Sequence, residues 1–286
     1  MPVDLSPEKK AELLRLIRTG DRNALEVSLM AVALERKTTR ARILVYLRDE
    51  QGRNVLHHAA HHGERGVKIL EDILDPIFGV CAAARPWRKQ ALLVQVDSNG
   101  EDAVLYAIRH APRDRYSHCL ETILTLGGEL NDQLNSRGLT AMHIAAEANN
   151  AGVIRYLALH HKVSVDTQIN PGESRGFGDQ PVHTAARLGN LDAIKELVAL
   201  KGVEILLKSM NAKRRTGLVL AFAYNREELM EFIMTIVPRH QYVNSTDFAG
   251  YLRQKIHKQT EKQSKPKLPR VQRYLPGSKL RFEVKY

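Results

Sequence analysis

Histidine is the residue type in this chain that most invites a chemical reading. His57, His58, His61 and His62 fall within six positions. In a helix, histidines four apart share a face and can hold a metal ion. Each face here would offer two ligands, with no third histidine and no nearby cysteine or carboxylate at ligand spacing, so a metal is not expected. His143 and His183 are candidates for a general base, but no Ser or Cys stands in a nucleophile context around them. Gly127-Gly128 and the glycines from Gly172 to Gly178 neither follow a strand nor precede the Lys-Ser/Thr pair of a phosphate-cradling loop. The chain therefore reads as non-catalytic, with no cofactor and no small-molecule substrate.

The three histidines His57, His143 and His183 share a second property, their place in a repeated pattern. Asp49 to Ala60, Asn135 to Ala146 and Gly176 to Ala186 each run turn, polar residue, apolar residue, histidine, alanine pair. Weaker copies lie at Asp97 to Ala107 and Asn211 to Ala221. Asp or Asn with Gly marks a tight turn. The polar residue that follows caps a helix, and the alanines let a neighbouring helix approach closely. A second apolar-periodic helix follows each copy, for example Val153, Ile154 and Leu157, then Ile194, Leu197 and Val198. Turn, helix, helix, repeated five times, makes a solenoid.

This pattern resembles the ankyrin repeat, whose Thr-Pro-Leu-His core is matched by Val55-Leu56-His57, Met142-His143 and Pro181-Val182-His183, with Thr140 and Thr216 at the threonine. The resemblance runs from about Asp49 to Val237. It implies an all-α ankyrin-repeat solenoid with irregular repeats, since the turn anchors at 52, 100, 138, 178 and 214 are spaced more widely than the regular ~33 residues. In such repeats the histidine ties neighbouring turns together, which is the role expected of His57, His143 and His183.

The organisation expected is N-terminal capping helices over 1–48, five repeats over 49–240 with an insertion at 74–96, a C-terminal capping helix over 241–260 and a basic extended or disordered tail over 261–286. Ser6-Pro7-Glu8 starts the first capping helix and Gly20-Asp21 turns into a second, Ala24 to Glu35. Phe248, Leu252 and Ile256 share a face of the closing helix. Of the 43 Lys and Arg, 11 fall after residue 250 against Glu261 and Glu283, which leaves 32 against 30 in the rest. The basic character belongs to the tail.

The resemblance implies binding through turn tips and the inner side of each first helix, the concave face. Carried over by register, the contact residues are Glu50, Gln51, Arg53, His61 and His62, then Asn99, Glu101, Arg109 and His110. Further along they are Arg137, Leu139 and Glu147, then Phe177, Asp179, Arg187 and Leu188, and finally Lys213, Arg215 and Tyr224. Buried aromatic anchors commonly dominate such interfaces. The partner expected is a protein bound by a monomeric scaffold. Irregular arrays of this kind are frequent among bacterial effectors delivered into eukaryotic cells and among eukaryotic adaptors.

Two cysteines, Cys81 and Cys119, suit buried thiols in a reducing compartment. No secretory leader opens the sequence and no run reaches the ~18 apolar residues of a membrane span. Cytoplasm, of a host cell for an effector, is the compartment these features suggest. The alternative is a nuclear or nucleic-acid-associated regulator: Lys262 to Arg270 loosely resembles a basic import cluster, and the tail could contact nucleic acid or an anionic membrane while the repeats dock a cofactor protein.

Overall fold

The computed structural model describes residues 4–61, 91–112, 118–130, 135–169 and 178–237. The closing helix, the basic tail, His62, Phe177 and most of the insertion lie outside the described residues. Described regular structure is helical, with one isolated antiparallel bridge between Arg48 and Asn54.

Three helices precede the repeats. α1 (Pro7–Thr19) starts where Ser6 Oγ accepts from Lys9 N and Pro7 supplies a preset φ, and it ends at left-handed Gly20. α2 (Arg22–Glu35) is capped by Asp21, whose carboxylate accepts from Ala24 N, so it starts two residues before the predicted Ala24. α3 (Arg40–Tyr46), capped by Thr39, was not expected from the sequence, and it buries Ala41, Ile43, Leu44 and Val45.

The repeats follow as first helices α4 (Val55–Ala60), α5 (Ala103–His110), α7 (Ala141–Glu147), α9 (Pro181–Leu188) and α12 (Gly217–Ala223). Second helices are α6 (His118–Thr125), α8 (Ala151–His160), α10 (Leu191–Lys201) and α13 (Glu227–Ile236), with a short extra turn α11 (Glu204–Leu207) after α10. The first helices pack in order, α1 on α4, α4 on α5, α5 on α7, α7 on α9 and α9 on α12, while α8 packs on α10. Their alanine pairs are what permits this: Ala59, Ala60, Ala145, Ala146, Ala185 and Ala186 are buried, and small side chains let the backbones approach.

Four of the turns are each held by one side chain. Asp49 Oδ1 accepts from Gln51 N and Arg53 N, both at 2.9 Å. Asp97 does the same for Asn99 and Glu101, Asn135 for Arg137 and Leu139, and Asn211 for Lys213 and Arg215. The fourth residue of the turn takes a positive φ: +78° at Gly52, +70° at Gly100 and +71° at Gly138. In the last repeat Arg214 stands there at 55°, where a non-glycine residue carries a strain of about 1 kcal/mol. Turns also bond to each other, Ser98 N to Gln51 O at 2.8 Å and Ser136 N to Asn99 O at 2.9 Å.

The opposite ends of the first helices are tied by the following repeat. Asn190 Nδ2 donates to Ala146 O and Glu147 O, and Arg226 Nε donates to Arg187 O, so carbonyls left over at helix ends find partners.

Gly100 is the most constrained turn residue, because a Cβ on it would stand 2.6 Å from Ser136 N, the donor of the turn-to-turn bond. We expect Gly100→Ala to cost about 2 kcal/mol or more, read as a lowered urea midpoint. Arg214→Gly should leave the midpoint unchanged or raise it.

Candidate functional site

The face made by the turn tips and first helices is organised by its buried polar groups. Nε2 of His57 lies 2.9 Å from Glu101 O, Nε2 of His143 lies 2.9 Å from Asp179 O, and Nε2 of His183 lies 3.0 Å from Ser209 O. A carbonyl only accepts, so each Nε2 carries the hydrogen. At His183 the other ring nitrogen accepts from Gln180 N at 3.0 Å, so that ring is neutral, and at His143 it meets the Thr140 hydroxyl at 2.8 Å. Each ring joins its own helix start to the next repeat, and its burial favours the neutral form. Burial lowers the pKa of His57 and His183, and it lowers that of His143 to about 4 against the opposing backbone bond from Asp179.

Two carboxylates are sunk into this face. Glu101, 1% exposed, accepts from Arg109 Nε at 2.9 Å and from Asn135 Nδ2 of the next turn at 3.0 Å. Asp179, 4% exposed, pairs with Arg187 at 3.4 Å and accepts from Asn211 Nδ2 of the next turn at 2.7 Å. The arrangement repeats: a turn carboxylate is held by an arginine eight residues later and by the asparagine that opens the following turn. Arg109 reaches on to Glu147 at 2.8 Å, and Arg137 takes the same carboxylate at 2.8 and 2.6 Å. Burial would raise the pKa of Glu147, but the hydrogen bonds from Arg137 and Arg109 prevail and hold it at about 2.

These positions correct part of the sequence reading. Glu101, Leu139 and Asp179 were expected at the surface and are buried. Glu101 and Asp179 are met by Asn135 and Asn211 from the adjacent turn, more than 30 residues away and beyond the reach of a local pattern. Arg109 and Glu147 lie half-buried in the ion-pair network rather than presented to solvent, and Arg53 is paired with Asp49 at 2.7 Å. Exposed on the face are Glu50, Gln51, His61, Asn99, Arg137, Leu188, Lys213, Arg215 and Tyr224. His61 and His110 do come together, edge to face at 4.7 Å, with the Tyr106 ring tilted against His110 at 4.3 Å. Sequence reasoning missed Tyr106 and Asn135, although Asn135 opens its turn just as Asp97 does. Arg214, which the sequence marks only as a turn anchor, is exposed at the final tip. A cleft of 470 Å³ lies between α1 and the first turn, lined by Pro7, Lys10, Leu14, Arg18, Arg48 and Gln51 among others.

With this geometry in view, the comparisons can be placed. A family model described as ankyrin repeats (3 copies) matches residues 110–208, the span from the end of α5 to the end of α11. That part of the chain consists of ankyrin repeats. The chain is similar to the nuclear factor NF-kappa-B p105 subunit of Mus musculus, 32% identical over 144 residues, and to that of Gallus gallus, 30% identical over 145 residues. The matches take in 50% and 51% of this chain but only 13% and 12% of those relatives. Ankyrin repeats form protein–protein interaction domains. Among the described residues no group of three or more His, Cys, Asp or Glu is placed to hold a metal, and no helix is long and apolar enough to cross a membrane.

Two measurements follow from the polar groups. Arg109→Met leaves the Glu101 carboxylate buried without its cation, which should cost about 3–5 kcal/mol in urea unfolding. Adding Glu101→Leu should restore most of that, because the pair then vanishes together.

The second concerns pH. His58, His110 and His143 are each lowered to about 4, in all three chiefly by burial. A group with a depressed folded pKa contributes stability that is complete above its unfolded value, here 6.5, and is lost as pH falls toward 4. Asp102, raised to about 6 by burial, opposes this over part of the window. Three strongly shifted histidines outweigh it, each worth about 1.4 kcal/mol per pH unit where its two states differ. Unfolding free energy should therefore fall between pH 6.5 and 4.5, and His143→Gln should flatten that slope.

Proposed function

We propose that this protein is a non-catalytic scaffold that binds a partner protein across the face formed by its turn tips and first helices. The observation that carries the reading is continuity. Turn-to-turn bonds at Gln51–Ser98 and Asn99–Ser136 line exposed tip residues of successive repeats into one edge, and the buried histidines and carboxylates beneath keep it rigid. A preformed surface loses little freedom on binding, which favours recognition of another macromolecule. The repeat histidines and the two buried carboxylates, the groups that could have served chemistry, are bonded within the structure.

The setting proposed is the interior of a eukaryotic cell, for a resident adaptor or for an effector delivered there. The relatives are named as subunits of a nuclear factor, and that name together with the basic sequence after residue 250 supports the nucleus as a second compartment.

Capture from nuclease-treated eukaryotic lysate tests this reading. The protein should retain a partner when truncated after Gln259, and lose it when Gln51, Asn99 and Tyr224 are replaced by alanine. Leu159→Ala with Glu231→Ala, on exposed parts of the second helices, should leave capture intact. Capture that requires the sequence after Gln259, or that disappears with nuclease, would transfer the function to the basic tail.

A further inference from the structure

The face is not uniform along its length. In the first three repeats its cations are answered by carboxylates: Arg53 by Asp49, Arg109 by Glu101 and Glu147, Arg137 by Glu147. In the last two repeats the balance changes. Arg214 and Arg215 are exposed at the final tip and form no ion pair among the described residues. On α9, Thr184 Oγ1 and Arg187 Nε are buried without a hydrogen-bond partner among the described residues, which costs stability. Beside them stand two exposed apolar side chains, Leu188 at 39% and Tyr224 at 47%, at the same end of neighbouring first helices.

These features are mechanically joined. Asp179 accepts from Asn211, which opens the final turn, and also pairs with Arg187. The basic tip and the α9 guanidinium are thus fixed around one carboxylate. Arg214 occupies the left-handed position that glycine takes in the turns at Gly52, Gly100 and Gly138, so the tip bears strain that glycine would relieve while projecting a charge glycine lacks.

We infer that repeats four and five dock an acidic segment of a partner protein, its carboxylates at Arg187, Arg214 and Arg215 and an apolar side chain between Leu188 and Tyr224. This rests on the tip-and-first-helix face being the binding face. The spacing sets the motif. Arg215 and Tyr224 flank α12, nine residues apart, about 13 Å at helical rise. An extended peptide covers that distance in about four residues, so the apolar residue follows or precedes the acidic one by about four positions. A nucleic acid fits less well. Leu188 and Tyr224 ask for an apolar side chain, which a phosphate backbone does not supply.

The test is selection of random dodecapeptides displayed on phage against the full chain at physiological ionic strength. Recovered peptides should carry Asp or Glu about four positions from Leu, Phe, Ile or Trp. As labelled synthetic peptides they should lose roughly tenfold affinity or more on Arg214→Gly with Arg215→Glu, and again on Leu188→Ala with Tyr224→Ala. All four residues are exposed or half-exposed, and an unchanged urea midpoint verifies that the variants fold. Basic or neutral peptides would overturn the inference. Acidic peptides governed by Gln51 and Asn99 would overturn it too, while leaving the face-binding reading in place. Recovery of no peptide at all counts against both. Displacement of the peptides by a single-stranded oligonucleotide bound equally tightly through Arg214 and Arg215 would make the site a phosphate binder and also defeat the proposal.

Discussion

A stack of short helices has no long-range hydrogen-bond ladder to hold its register, so each repeat must be fastened to the next by something else. In this protein the fastening is a neutral imidazole. Nε2–H of His57, His143 or His183 crosses to the carbonyl of the following turn while Nδ1 receives a donor from its own helix start. At His183 protonation would place a second donor against the Gln180 N–H, and for all three rings burial disfavours the charged form, which ties the stacking of the array to their deep burial. Apolar packing supplies the bulk of stability, as in any solenoid built of nearest-neighbour contacts. The imidazole bridge fixes which surfaces meet.

From that register the charged groups acquire their positions. Because each turn stands in a set relation to the next, Asn135 reaches Glu101 and Asn211 reaches Asp179. Two carboxylates can then be buried, since each is met by an asparagine from one side and an arginine from the other. A buried ion pair contributes little net stability, but the loss of one partner is costly, and such networks favour one arrangement over its neighbours. The arginines are consequently fixed in orientation. At Arg214 and Arg215, which form no ion pair among the described residues, the same scaffold presents positive charge to solvent, so the character of the face follows from how its buried groups are paired.

Much of the fold was legible because its signals are local. Asp or Asn opening a turn, a polar cap, an apolar-His pair and two alanines lie within twelve residues, and their recurrence announced the array. Ser6-Pro7 and Gly20-Asp21 marked the first capping helix and the turn that follows it. What stayed hidden depends on residues distant in sequence. Glu101 and Asp179 sit at turn positions that look exposed in one repeat, and each takes a hydrogen bond from the asparagine of the next. Glu147, read as a surface contact, is drawn in by Arg109 from the preceding repeat. α3 has a capping threonine and an apolar run but is only seven residues long, too short for helical periodicity to show.

The central claim is that recognition takes place on the tips and first helices. Hydrogen exchange on the full chain, with and without a saturating bound partner, tests it most directly. Protection on binding should concentrate in 180–188 and 212–224, with the tips around Gln51 and Asn99 affected less, and the second helices α8, α10 and α13 unchanged. Protection centred on α8, α10 and α13, with the tips exchanging as in the free protein, would contradict the account.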